Sequence, residues 1–124
     1  MEFFCYLDST QPTEWVEQLG IADLPTYCAS IERVLSLEGD CGVIYCLWGE
    51  FAIRREAIRD GVRFTLPYCP NALAWTITGE RTPQSSTWIT IHCTINRETH
   101  EADFVESIHL FMDDWQRGLG RTKV

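Results

Sequence analysis

The residues best equipped for chemistry are the six cysteines, the three histidines and a run of arginines in the middle of the chain. Each reaction they could serve needs a particular geometry. Cys41 and Cys46 lie five positions apart on what reads as an extended strand, so their side chains point to opposite faces and cannot share an ion. Neither CxxC nor HxxxH occurs, and no metal is expected. Cys5, Cys28 and Cys93 sit in apolar runs and read as small buried hydrophobes. Cys69 lies in Pro67-Tyr68-Cys69-Pro70-Asn71, a loop that could expose a thiol. To act as a nucleophile it would need a cation or base beside it, for which Arg63 and His92 are the candidates. No nucleophile elbow, dinucleotide fingerprint or phosphate-binding loop is present, and no cofactor is expected. Arg54, Arg59 and Arg63 cluster around Asp60-Gly61 and could hold an anionic group.

These residues depend on the elements that carry them. Glu2–Leu7 reads as a strand. Pro12–Leu19 has the start and stop signals of a short helix, and a second helix is expected from Leu24 to Leu37. That second reading rests on Leu24, Cys28, Ile31 and Leu35 at helical spacing, Asp23 as N-cap and Gly39 as a stop. From Cys41 to Asn96 the period becomes two. Strands are expected at 43–48, 62–66, 73–77 and 88–95, with the longest loop at 79–86. Phe51–Arg59 suits either element, and the Asp60-Gly61 hairpin signal favours a strand. A long last helix, capped by Thr99, carries Phe104, Ile108, Phe111 and Trp115 on one stripe. The expected fold class is α+β: an antiparallel meander of about five to six strands, with two N-terminal helices and one long C-terminal helix on one face. The 124 residues suit a single domain, 1–124.

Parity sorts the strands into two faces. Ile89, Ile91, Cys93 and Ile95 join Leu73, Trp75, Ile77, Val62, Phe64, Leu66, Phe51 and Ile53 as the core. The other face takes Trp88, Thr90, His92, Thr94, Ala74, Thr76, Thr78, Arg63, Thr65, Arg54, Glu56 and Ile58. This is either a solvated sheet surface or a binding surface, since Trp and Arg are the types most enriched at hot spots. Strict parity leaves Arg55 on the core side, where it needs a bulge or an acid partner.

Net charge is −8 and the sequence pI about 4.7. It is distributed as −7 over residues 1–40, +2 over 41–97 and −3 over 98–124. That balance argues against nucleic acid and against an anionic membrane. No run is apolar enough to span a bilayer, and the start lacks the positive region of a secretory signal, so a cytoplasmic protein with reduced thiols is expected.

Three functions remain open. The leading one is a non-enzymatic protein-binding, adaptor or chaperone-like module. The second is a small-ligand binder or small enzyme with a pocket between sheet and helices. The third is a homodimer. The residues favoured for binding are Trp88, His92, Arg54, Arg63 and Cys69.

Overall fold

A computed structural model describes residues 1–9, 13–81 and 87–120. The strands are β1 (Glu2–Ser9), β2 (Ile31–Glu38), β3 (Cys41–Cys46), β4 (Gly49–Ile58), β5 (Gly61–Thr65), β6 (Ala74–Arg81) and β7 (Thr87–Thr94). They form one antiparallel sheet of seven strands in the order β1-β7-β6-β5-β4-β3-β2. The meander runs from β2 to β7, and β1 closes against its last strand. Two 3₁₀ turns, Glu14–Gln18 and Ile21–Asp23, lead into the one-turn helix α1 (Leu24–Tyr27). The long helix α2 (Ala102–Gly120) ends the described chain. The class is α+β with an antiparallel sheet, as the alternating pattern implies. The helix start expected at Pro12, and positions 82–86 of the expected loop, lie outside the described residues.

The expected helix Leu24–Leu37 is corrected. Only its first turn is helical, and Ile31–Glu38 is a strand, which raises the count to seven. The cause is visible in the β2–β3 register. Ile31 faces Cys46, Val34 faces Ile44 and Leu37 faces Gly42, with bulges after Ile31 and after Val34. Each bulge adds one residue, so positions paired with the core side of β3 recur every third residue instead of every second, with Ile31 buried, Val34 half-buried and Leu37 exposed near the turn. That spacing imitates the i, i+3 stripe of a helix. Gly39, at φ 61°, turns a hairpin instead of stopping a helix. The other expected N-terminal helix is the 3₁₀ turn Glu14–Gln18. The last helix begins at Ala102, with Glu101 accepting the first backbone bonds in place of Thr99.

Phe51–Arg59 is strand over its Gly49–Ile58 span, as the hairpin signal favoured. The turn residue with positive φ is Asp60, at 63°. Arg55 keeps its core-side parity without a bulge. Its Nε and Nη2 donate to the carbonyls of Leu19 (2.6 Å) and Glu17 (2.7 Å), and Nη1 lies 3.5 Å from Asp40. The arginine thereby fastens the 3₁₀ segment to β4.

The core face of the sheet is the one parity assigned, with Phe51 half-buried and the others buried. Ile108, Phe111, Met112, Trp115 and Leu119 of α2 are buried with it. Gly118 lets α2 pass against α1, because a Cβ there would overlap the Tyr27 carbonyl. Gly118→Ala should therefore force the two helices apart and cost about 1–3 kcal/mol, the usual penalty of overpacking. Chemical denaturation against the parent chain checks this.

Candidate functional site

Strand pairing assembles the outer face row by row. Phe4, His92, Thr76, Arg63 and Glu56 lie side by side across five strands, from β1 to β4. The next row is Tyr6, Thr90 and Thr78, and the next Asp8, Trp88 and Glu80. The favoured residues Trp88, His92 and Arg63 thus share one surface, and Arg54 continues it beside Thr65. Cys69 does not. It sits in the 66–72 turn, packed against the core, so the trio Cys69, His92 and Arg63 does not converge.

Trp88 Nε1 donates to Glu80 Oε2 at 2.7 Å, which fixes the indole across the β6–β7 pair. His92 stacks on Phe4 with ring centroids 4.3 Å apart and planes 3° from parallel. Its Nε2 is 2.9 Å from Glu2 Oε1. Phe4 in turn lies parallel to Tyr6 at 6.3 Å. Phe4 is 53% exposed and Tyr6 61%, an unusual cost in hydrated apolar surface for two neighbours on one strand. Phe4, Tyr6, Asp8, Glu80, Trp88 and Thr90 line a groove of about 470 Å³ on this face.

Phe4 and Tyr6 are the exposed aromatic residues of this face that sequence reasoning missed. The segment Phe3-Phe4-Cys5-Tyr6-Leu7 is apolar on both faces, so alternation could not say which side meets water. Only the partner strand decides, and β7 lies more than eighty positions away.

The opposite face meets α2 through aromatic rings. Trp75 touches Phe111 (5.0 Å between centroids), Phe64 (5.5 Å) and Trp115 (6.4 Å), and Trp48 touches Phe111 at 5.1 Å. Trp48 Nε1 also donates to Ser107 Oγ at 2.9 Å, tying the β3–β4 turn to the helix. Asp114, buried on α2, accepts from Ser30 Oγ and Arg117. These rings occupy part of the space between sheet and helix, where a pocket was one expectation, and a groove of about 530 Å³ opens between β1 and α2. Two donors there, Trp75 Nε1 and Trp115 Nε1, are buried without a hydrogen-bond partner.

No protein-family model matches the chain, and no curated protein matches it. Solved structures do. XoxI of Bacillus cereus superposes with a TM-score of 0.75 at 17% identity, over 98% of this chain and 94% of that one. A Deinococcus radiodurans protein gives 0.67 at 12%, over 99% and 94%. A START superfamily protein of Mycobacterium smegmatis gives 0.65 at 9%, over 98% and 99%. The fold of this chain is similar to that of these three proteins. At these identities the likeness is one of fold alone, and the shared frame of sheet and terminal helix leaves chemistry to the side chains just described. Among the described residues no helix is long and apolar enough to cross a membrane, and no group of three His, Cys, Asp or Glu side chains could hold a metal ion.

The thiols divide by burial. Desolvation pushes Cys28 and Cys93 up to about 12, from an ordinary 9.0. Cys5 and Cys46 are raised by the same cause, whereas Cys41 is exposed. A thiol whose folded pKa is raised stabilises the fold fully below its unfolded pKa and loses that contribution as pH climbs to the folded value. Unfolding free energy should therefore fall between about pH 9 and 12, and fall less steeply in Cys28→Ala/Cys93→Ala. In native protein at pH 8, a thiol reagent should label Cys41 fast, and Cys28 and Cys93 only on unfolding. Denaturant titrations across that range and peptide mapping of the label check both.

Proposed function

We propose that this chain is a non-enzymatic binding module, and that it holds a protein partner on the outer face of its sheet through Phe4, Tyr6, Trp88 and His92. The observation that carries the reading is the exposed aromatic row beside the groove. Phe4 and Tyr6 are each more than half exposed, yet they are held parallel by stacking and by the sheet beneath them. Rigid aromatic groups lose little side-chain entropy on binding, which is why they dominate interface energetics. His92 and Trp88 are already anchored by Glu2 and Glu80, so the surface is pre-organised. Arg63 and Arg54 extend it toward β4.

The test begins with capture of partners from the source cell lysate, followed by re-binding of each identified partner as purified protein. Tyr6→Ala/Trp88→Ala should weaken that purified complex by tenfold or more while melting within a few degrees of the parent chain. Unchanged affinity in the folded double variant would refute this surface.

A second reading has one observation of its own. The two unpartnered indole N–H groups of Trp75 and Trp115 sit between sheet and α2, in a START-like fold. A buried tryptophan donor usually finds an acceptor. In this reading a small ligand carrying a carbonyl or hydroxyl oxygen enters among these rings and accepts from them. Native mass spectrometry of the purified protein should then reveal a retained small molecule, lost in Trp115→Phe. Protein that carries no such mass, and that gains no thermal stability from apolar carbonyl compounds, would remove this reading.

A further inference from the structure

Resting on the outer-face reading above, we infer that the groove between Tyr6 and Trp88 receives an arginine side chain from a basic segment of the protein partner. Three features of the groove select that chemistry.

Its walls are aromatic, and they are carried on neighbouring strands. Tyr6 is paired with Thr90, two residues from Trp88 on β7, so Tyr6 and Trp88 are diagonal cross-strand neighbours. Such positions lie roughly 7–8 Å apart. A flat group needs about 3.5–4 Å to each aromatic face it stacks on, and the open groove beside these two side chains has room for one. The short side chain of Thr90 leaves the space between the walls open and forms its floor.

Its charge is negative. Asp8 and Glu80 are the ionisable groups that line it, and Glu2 stands one row beyond, beside His92. Glu80 gives Oε2 to the Trp88 indole, so Oε1 and the exposed Asp8 carboxylate are the acceptors offered to a guest. Carboxylates flanking two π-faces suit a cation that stacks and donates in its own plane. Guanidinium does both, whereas an ammonium is a compact, strongly hydrated point charge.

The same charge excludes other occupants. A second copy of this chain would bring Asp8 and Glu80 against their own like on a molecule of net charge −8. An anionic lipid surface is repelled for the same reason.

The test is a titration of the isotopically labelled full chain with three short peptides, followed by backbone and indole resonances. One peptide carries two arginines, one two lysines, and one two citrullines, which keep the shape of arginine and remove its charge. The arginine peptide should shift Tyr6, Asp8, Glu80 and the Trp88 indole together. The lysine peptide should bind several-fold more weakly, and the citrulline peptide at least tenfold more weakly. In Asp8→Asn/Glu80→Gln, affinity for the arginine peptide should fall at least tenfold while the spectrum stays that of a folded protein. Equal binding of citrulline and arginine peptides on these residues would overturn the cation assignment and leave the face as a docking surface. An arginine peptide that moves no resonance of Tyr6 or Trp88 at millimolar concentration would overturn the inference outright. The purified-partner experiment with Tyr6→Ala/Trp88→Ala judges the outer-face reading separately.

Discussion

Everything on the outer surface depends on the antiparallel pairing of β1 with β7. The pair runs in register from Glu2 opposite Thr94 to Ser9 opposite Thr87. It closes the longest loop in the chain, and loop closure of that length is entropically costly, though the cost grows only slowly with length. What offsets it is burial on the other side. Phe3 and Cys93 enter one cluster with Trp75, Phe111 and Trp115, and the amino terminus donates to the carbonyls of Ile95 and Arg97. Once the register is fixed, Phe4 and Tyr6 have no freedom to turn inward, because alternation commits them to the face of His92 and Thr90.

The two faces therefore do different work with similar residue types. Under α2, aromatic rings meet edge to face and leave almost no exposed surface. On the outer side, rings lie parallel, half in water, and are held by carboxylates at the rim. Hydrated apolar area of that kind contributes nothing to stability. Its free-energy value is realised only when something covers it. The wider solvated stretch of Thr76, Thr78 and Thr65 beside it shows what an ordinary strand surface in this sheet contains. The aromatic row departs from that pattern.

The strands of the central meander and the last helix were legible from the amino acids, because their periods are undisturbed. Ile89, Ile91 and Cys93 alternate cleanly, and Ile108, Phe111 and Trp115 recur as a helix requires. β2 was not legible. Its two bulges turn a period of two into a period of three, and local pattern then argues for the wrong element until Ile44 and Cys46 supply the partners. Half of the candidate site was legible, since Trp88 and His92 follow from parity within β7. Phe4 and Tyr6 required strand order, which no local signal carries. Cys69 was drawn toward His92 by chemical analogy, and its turn instead packs it on the core.

Site-specific photo-crosslinking tests whether a partner lies on the outer face beside Tyr6. A photoreactive side chain placed at position 6 can be compared with one at position 110, an exposed leucine on α2. A partner on the outer face should give a covalent adduct from position 6 and none from position 110. Adducts from position 110 alone would put the partner on the helix layer and contradict the role assigned to the outer face.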